Sequence, residues 1–443
     1  EGVTQALFVQ LDLDIILILH IKESSVSDLS PLRNTPIVWL DANCCDIRSV
    51  EPLSETNIQY LSIANNAVTS LNALRRTRLR HLAAGGNLID DISVLGELPV
   101  NTLSLPDNNI EDLSPLNNKY LALVDIADNK VRTLESIADA DIEELKVSGN
   151  PVRDLSPLKN MTSLKRLVAS ECGIHDLSAL STLPLDYINI ANNKVGSLEF
   201  AGDMPLTTVA VSDNGIASLE PLRGKRIEQL YCDKNPITSL EPITIRNLSL
   251  LDCSNTRITS FGKALLYPPR VFRFYNTAVS DSVLEYAARY WERDQSTHRY
   301  AMQARILLAL RHGRYSALRG LGRRLGDHTY TVVPKLTTFE EAREMARLAG
   351  GHLLRIETAK ELREFRQAFY WIDRSWLDMT LTDSGPVWGD GIPVTTGRVL
   401  DHLGSIVPDN PHAYLVYGTL LRNKVATGSE ERRVGKECAT GCR

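Results

Sequence analysis

The sequence has no run of about 18 apolar residues, which is the length that a membrane-spanning helix needs. An apolar stretch near its start covers only residues 15–19. Aromatic residues are scarce, at 6%, and the formal net charge of −5 is small for 443 residues. These absences exclude a transmembrane helix within this sequence. They also argue against a nucleic-acid binder that works through a broadly basic surface.

Catalytic and metal-binding motifs are also lacking. There is no HExxH, GxSxG or GxxxxGK[ST], and no GxGxxG opens a helix. The seven cysteines include no CxxC pair, and an odd number is not a disulfide framework. We therefore predict a chain that is not an enzyme, with no catalytic residues, no metal site and no cofactor. Because the chain begins with Glu1, we expect a fragment, which leaves a signal peptide, anchor or catalytic domain upstream open.

One pattern, LxxLxLxxNxI, recurs through more than half of the chain. It is clearest at residues 100–110, and its asparagine position, called the slot below, returns every 21 residues with a single step of 22. A fixed period of this length is the signature of a repeat architecture. The slots are Ser24, Cys45, Asn66, Asn87, Asn108, Asn129, Asn150, Cys172, Asn193, Asn214, Asn235, Thr256 and Thr277.

Each position of the repeat has a physical role in a stack of coils. Leu103 and Leu105 alternate inward on a short strand, and parallel strands stack about 4.8 Å apart, so thirteen coils predict a body roughly 60 Å long. The slot amide can bond turn backbone that would otherwise be buried and unpaired. Tripeptides such as Ser114-Pro115-Leu116 suit a short helical turn, where proline costs little. The predicted ladder residues are Asn66, Asn87, Asn108, Asn129, Asn150, Asn193, Asn214, Asn235, Cys45 and Cys172.

Residues 1–280 resemble the short leucine-rich repeats of the internalin-like type. The resemblance implies a leucine-rich-repeat solenoid of the α/β horseshoe type, with a parallel β-sheet on the concave face and 3₁₀ or other short turns on the convex face. It also implies a bacterial protein, and it favours an extracytoplasmic or cell-surface location over a cytoplasmic one. Cys45 and Cys172 occupy slots. Cys232 and Cys253 each lie three residues before the slot of their own coil, at a buried position of the repeat. We therefore predict structural roles for all four cysteines.

Outward-facing residues on the predicted concave sheet are the candidate binding residues. They lie six, four and two residues before each slot. Trp39, Tyr60 and His81 share one lateral position on successive coils, Tyr187 shares it further along, and Tyr231 lies in the adjacent column. Exposed aromatic residues are favoured as interaction anchors, which predicts a partner-binding surface. The alternative is that these are ordinary solvated strand residues, with Trp39 covered by a preceding coil or cap.

Residues 281–326 have a helical pattern, with apolar faces that include Leu284, Trp291 and Leu307. A solenoid needs its last coil covered, so we predict a helical cap and linker. The end of this segment is basic, and Arg305 and Arg311 have no nearby acid in the sequence. This leaves the alternative of a basic amphipathic helix that contacts anionic lipid or another acidic surface, the solenoid included.

The pattern changes at residues 327–436. Residues 338–365, with two Thr-x-x-Glu capping boxes, residues 375–378 and residues 385–391 resemble a C-type-lectin-like domain, which implies a small α+β fold. In that family a calcium ion takes part in sugar binding. Here Val407 precedes the matching Pro408, Asp409 and Asn410, so we expect no calcium, which needs about six to eight oxygen ligands. These three residues and Trp388 form the predicted lectin-like site, and residues 437–443 stay unassigned.

Together these patterns predict a non-catalytic binding protein. Its partner is a protein or peptide bound by the concave face, and the lectin-like module is a second binding unit. Two alternatives remain: a carbohydrate-binding cell-surface protein that acts through the lectin-like domain, and a structural spacer of a larger multidomain protein. We expect no nucleic acid as a partner. We also expect no membrane-spanning segment in this chain.

Overall fold

The computed structural model describes residues 17–22, 24–326, 328–333, 339–356, 359–368, 374–382, 385–388 and 412–416. These residues fall into two compact units, one that ends at Leu230 and one that begins at Tyr231. The predicted domain bounds at residues 280, 326 and 436 stay predictions. No helix in the described part is both long and apolar enough to cross a membrane.

Each coil of the repeat contributes one short parallel strand. Paired residues such as Leu40 and Leu61 are 21 apart in sequence, so within each unit the strands stack in register on the equivalent strands of neighbouring coils. The strands are β1 (Ile18–His20), β2 (Trp39–Asp41), β3 (Tyr60–Ser62), β4 (His81–Ala83), β5 (Thr102–Ser104), β7 (Leu123–Asp125), β9 (Glu144–Lys146), β10 (Arg166–Val168), β11 (Tyr187–Asn189), β12 (Thr208–Ala210), β13 (Gln229–Tyr231), β14 (Leu250–Asp252) and β15 (Val271–Arg273). Two further strands, β6 (Tyr120–Leu121) and β8 (Asp141–Ile142), pair in parallel with each other.

The return side of each coil is a short 3₁₀ turn, as predicted. Proline begins several of these turns, because its missing N–H costs little there. An aspartate two residues before the first serine often caps the turn; the Asp112 carboxylate accepts from the Ser114 N–H at 2.8 Å. The turns are Ser30–Leu32, Glu51–Leu53, Asn72–Arg76, Ser93–Gly96, Ser114–Leu116, Glu135–Ile137, Ser156–Asn160, Ser178–Leu180, Glu199–Ala201, Glu220–Leu222, Ile245–Asn247 and Gly262–Leu265. A separate 3₁₀ helix, Tyr315–Leu321, comes after the coils in the sequence.

The slot side chains join neighbouring coils through hydrogen bonds. Asn108 Nδ2 donates to the carbonyls of Ala84 at 3.0 Å, Leu105 at 3.2 Å and Pro106 at 3.1 Å, and its Oδ1 accepts from the Ile89 N–H at 3.0 Å. One amide therefore satisfies buried backbone groups of its own coil and of the preceding coil. The same pattern repeats at Asn66, Asn87, Asn129, Asn150, Asn193 and Asn214.

The cysteines in slots reproduce only part of this bonding. Cys172 Sγ lies 3.3 Å from the carbonyl oxygens of Val147 and Ser170, which corresponds to the donating half of an asparagine. A thiol has no carboxamide oxygen. Cys172 therefore offers no oxygen acceptor to the N–H of Val152, the residue equivalent to Ile89.

Two helices pack on the last coils within the second unit. They are α1 (Asp281–Trp291), whose N-terminus is capped by the Ser280 hydroxyl, and α2 (His298–Arg311). Trp291 is fully buried, and its indole Nε1 donates to the Leu265 carbonyl at 2.8 Å. Its ring centroid lies within 6.3 Å of the centroid of every other ring in a buried aromatic cluster. That cluster is Phe261, Phe272, Phe274, Trp291 and Tyr300.

Arg311, at the end of α2, binds the backbone that follows the last strand. Its Nη1 donates to the Val279 carbonyl at 2.7 Å and to the Asp281 carboxylate at 2.9 Å, and its Nη2 donates to the Thr277 carbonyl at 3.0 Å. Thr277 is the last slot of the repeat. The planar guanidinium thus satisfies carbonyls that have no following coil to bond them.

The expectation that the basic residues of this segment lack acidic neighbours is wrong for two of them. Arg305 forms an ion pair with Glu292 at 2.6 Å, and Arg311 forms one with Asp281. Both acids come from α1 or the residue after it, far from their partners in sequence, so a search of sequence neighbours misses them. Contact with anionic lipid or with another acidic surface stays a prediction for the remaining arginines.

The rest of the described chain contains α3 (Phe339–Leu348) and α4 (Ala359–Ala368), as the pattern of residues 338–365 predicts. His328–Tyr330 pairs with Arg323–Leu325 as an antiparallel hairpin. Both capping-box threonines lie outside the described residues. The strands here are β16 (Arg323–Leu325), β17 (His328–Tyr330), β18 (Arg374–Thr382), β19 (Gly385–Trp388) and β20 (His412–Val416), with β18 central in a three-stranded antiparallel sheet.

Replacement of one slot asparagine tests the ladder. In the Asn108→Ala variant the buried Ile89 N–H loses its acceptor, whereas the Ala84 carbonyl keeps the bond from Asn87. An orphaned buried group costs about 1–3 kcal/mol, so we expect a loss of about 1–3 kcal/mol, seen by denaturant unfolding and by faster amide exchange in the adjoining coils. The Asn109→Ala control removes a neighbouring amide that forms no part of the ladder. Equal stability of these two variants would contradict the role of the slot.

The opposite substitution, Cys172→Asn, gives the Val152 N–H an oxygen acceptor. It should therefore stabilise the chain by about 1 kcal/mol.

The aspartates that cap the 3₁₀ turns predict acid sensitivity. Hydrogen bonds from the serine two residues later lower the pKa of Asp28, Asp91 and Asp176. Their stabilising contribution is therefore present above the unfolded pKa of about 3.9 and is lost as the pH falls through the folded pKa. We expect the wild type to exceed the triple Asp→Asn variant in Tm at pH 7, and the gap to close as the pH falls below about 4 and through the lowered folded-state pKa values.

The control for this pH series is Asp107→Asn, which lies outside the 3₁₀ turns. A constant difference in Tm at every pH would show that the caps act without their charge.

Candidate functional site

The candidate site is an aromatic stripe formed by Trp39, Tyr60 and His81. Strand pairing places Trp39 opposite Tyr60 and Tyr60 opposite His81, so the three residues begin consecutive strands. Trp39 is 36% exposed, His81 is exposed and Tyr60 is half-buried. The structure therefore brings together the three residues that the repeat spacing had aligned.

The rings of the stripe are stacked along the sheet. The Trp39 and Tyr60 ring centroids lie 3.5 Å apart with an interplanar angle of 8°, and those of Tyr60 and His81 lie 6.0 Å apart at 39°. The facing surfaces of Trp39 and Tyr60 are thus covered by each other. Solvent meets mainly their edges, where the electrostatic potential of an aromatic ring is positive.

The polar atoms at these edges are available to a partner. Within the described residues, the Trp39 indole N–H, the Tyr60 hydroxyl and the His81 imidazole make no side-chain hydrogen bond. An indole N–H only donates, and a phenol or imidazole can donate or accept. The stripe therefore combines apolar area with unused hydrogen-bonding groups.

The residues of the sheet beside the stripe are small or bonded to one another. Asn43 donates to the Asp41 carboxylate at 2.8 Å and accepts from the Ser62 hydroxyl at 2.9 Å. Gly85 lies two residues before its slot, at the same repeat position as Asn43. A Cβ added to Gly85 would lie 2.8 Å from Pro106 Cγ, so only glycine fits there. These contacts leave a low surface of small residues next to the taller aromatic stripe.

Sequence reasoning missed one member of this column. Ile18 pairs directly with Trp39 and is 61% exposed, and Leu17 before it is 54% exposed. The signal was present, because Ile18 lies six residues before the slot Ser24. A search restricted to aromatic residues passes over it.

The expectation that Tyr187 is exposed is wrong. Its side chain is only 6% exposed, and the Arg166 guanidinium of the preceding coil lies 4.1 Å from its ring centroid. The long arginine side chain covers the ring, as its mixed apolar and cationic character allows. Tyr231 is half-buried in the second unit. A partner contact for Tyr231 stays a prediction.

The middle of the sheet carries charges that neutralise one another. Arg166 Nε lies 3.1 Å from Glu144, and Lys146 Nζ lies 3.3 Å from Glu144 and 3.8 Å from Asp125. Burial raises the pKa of the Asp125 carboxyl, and the nearby Lys146 opposes this shift. This part of the sheet offers a partner little uncompensated charge.

Four cysteines of the repeats are buried as thiols. Cys45, Cys172, Cys232 and Cys253 are all buried, and none forms a disulfide. Burial raises the pKa of Cys232 and Cys253 well above the usual range of a thiol, which keeps them protonated and unreactive. In the described ranges, no group of three or more His, Cys, Asp or Glu side chains could hold a metal ion.

The predicted lectin-like site is not assembled by the described residues. Trp388 ends β19, and Pro408, Asp409 and Asn410 lie outside the residues that the structure describes. Their grouping stays a prediction.

Comparison with known proteins places the coils among leucine-rich repeats. No protein-family model matches the chain, and no curated protein matches it. A leucine-rich-repeat protein of Leptospira interrogans aligns with a TM-score of 0.52 at 15% identity, over 66% of this chain and 97% of that one. An internalin of Listeria monocytogenes aligns with a TM-score of 0.48 at 23% identity, over 63% of this chain and 79% of that one. The alignment with the Leptospira protein shows that the repeat coils have the leucine-rich-repeat fold.

Proposed function

We propose that this chain is a non-catalytic protein that binds a protein or peptide partner through the aromatic stripe on the predicted concave face of its leucine-rich repeats. The observation that carries this proposal is the exposed stack of Trp39 and Tyr60, with His81 beside it. Tryptophan and tyrosine are enriched among the residues that dominate binding energy at protein interfaces.

The geometry favours binding over ordinary solvation. The 3.5 Å stack already restricts the Trp39 and Tyr60 side chains, so a partner orders little that is not ordered before it binds. Neither ring is part of the ladder that holds the coils together. Exposed ring edges next to exposed Ile18 give a continuous apolar column on successive strands.

The C-terminal module is proposed as a second binding unit. The resemblance of residues 338–365 to a C-type-lectin-like domain and the two helices α3 and α4 support this. Because Val407 stands where an oxygen ligand would be needed, calcium-dependent sugar binding is not part of the proposal. The internalin-like repeat pattern supports a bacterial surface protein.

Truncation of the stripe tests the function. Partners captured from an extract of the source organism by the wild-type chain should be lost with the Trp39→Ala/Tyr60→Ala variant. Truncation of two such anchors costs at least about 2 kcal/mol each, so the affinity of a purified partner should fall at least about a hundredfold. Quantitative mass spectrometry of the captured proteins, followed by calorimetry, measures both effects.

Tyr120→Ala is the matched control, because this tyrosine is 54% exposed on another strand and its hydroxyl donates to Glu143. It should retain capture. Circular dichroism should show unchanged folding for all three substitutions, since the side chains lie outside the core. Capture that survives loss of the stripe would reject this surface, and the absence of any saturable partner would favour a structural spacer.

A further inference from the structure

The two ends of the stripe differ in chemistry. Ile18 and Leu17 make the end next to Trp39 apolar. The other end is His81, and the residue before it is the exposed Arg80. A partner that lies along the stripe therefore meets an aliphatic surface at one end and a cationic one at the other.

Arg80 differs from Arg75 and Arg76 of the same coil. Arg75 pairs with Glu97 at 2.9 Å and Arg76 pairs with Glu55 at 3.4 Å. Arg80 forms no ion pair with any residue that the structure describes. A guanidinium presents five N–H donors in a planar fork that matches a carboxylate. An acidic side chain of a partner would complement this uncompensated charge.

The acid closest to the stripe does not fill this role. Asp41, in the adjacent column, accepts from Asn43 and lies 3.4 Å from the His20 imidazole. It also lies two strands from His81 in the register of the sheet. The Asp41 carboxylate is thus already bound by Asn43, at the end of the stripe that lies away from Arg80.

The outward edges of the stripe favour hydrogen-bond acceptors. The Trp39 indole N–H can only donate, and the positive ring edges attract oxygen atoms. The carbonyls of an extended polypeptide supply acceptors at regular intervals. The face-to-face stack also covers the ring faces that Trp39 and Tyr60 turn toward each other, so a sugar ring cannot pack on them.

The dimensions suit a short extended segment. From Ile18 to His81 the column makes three steps between strands of about 4.8 Å each, or about 14 Å in all. About four residues of extended chain span this distance at roughly 3.3 Å per residue. The small side chains of Ser62, Ala64 and Ala83 beside the stripe leave room for its backbone.

We propose that the partner presents an extended segment to the stripe, with an aliphatic side chain at the Ile18 end and an acidic side chain at the His81 end. Arg80 binds the acidic side chain, and the edges of Trp39 and Tyr60 donate to its backbone carbonyls. This inference rests on the proposed function and specifies the chemistry of the partner.

A peptide library tests the proposal without a known partner. Random segments, inserted in a loop of a carrier protein so that no free carboxyl terminus is offered, are selected on the full chain. Selected segments should be enriched in Asp or Glu spaced two to four residues from Leu, Ile, Val or Phe. Enrichment of uncharged or basic segments that still need Trp39 and Tyr60 would overturn the inference and leave the proposed function intact.

Charge reversal provides the sharper measurement. Arg80→Glu should weaken a selected acidic segment at least about tenfold, which is about 1.4 kcal/mol, and a new selection on this variant should enrich Lys or Arg at the same spacing. Arg132→Glu, at another exposed arginine with no ion pair to a described residue, is the control and should change neither result. Unchanged binding in Arg80→Glu, or a library with no enrichment, would reject the acidic contact.

Two further outcomes separate the competing occupants. Selected segments that bind the Trp39→Ala/Tyr60→Ala variant as well as the wild type would reject the stripe itself, and the proposed function with it. Sedimentation of the purified chain shows whether it dimerises. A dimer that the same variant dissociates would make a second copy of the chain the occupant and overturn the proposal of an acidic segment.

Discussion

The structure of the repeats depends on one constraint: each coil turns backbone N–H and carbonyl groups into its interior, and they must find partners there. The slot asparagine meets this need because a single carboxamide both donates and accepts. Asn150 bonds carbonyls of two coils, and its Oδ1 receives the N–H of Val131. The strands on either side of the single 22-residue step stay in register, so the bonding pattern constrains the strand and the turn at the slot rather than the length of the whole coil.

The period of the repeat also decides where function can reside. In-register stacking means that residues at one position of the repeat form a straight column across the sheet, as Trp39, Tyr60 and His81 do. The first residue of each strand points away from the core, so its chemistry is free of the ladder. A binding surface can therefore change residue by residue while the buried frame is retained. The fold and the candidate site are separable because they use different positions of the same repeat.

The sequence predicts the periodic features well and the non-periodic ones poorly. The strands, the 3₁₀ turns and the burial of Leu103 and Leu105 follow from a pattern that recurs every 21 residues. The cover over Tyr187 depends on the rotamer of Arg166, one coil away, which no repeat position specifies. The Arg311–Asp281 pair joins residues 30 apart outside the repeat. Such contacts depend on tertiary packing, and neither periodicity nor propensity encodes them.

The distribution of charge gives the stripe its distinct character within the sheet. Where Asp125, Lys146, Glu144 and Arg166 meet, each charge has an opposite neighbour, and a partner would have to break these pairs before it could use them. Desolvation of paired charges costs free energy that a new contact only partly recovers. The aromatic stripe requires no such exchange, because its exposed edges have no partner among the described residues. The polar groups of the first coils of the described sheet can therefore bond a partner directly, whereas the charged groups at its middle already bond one another.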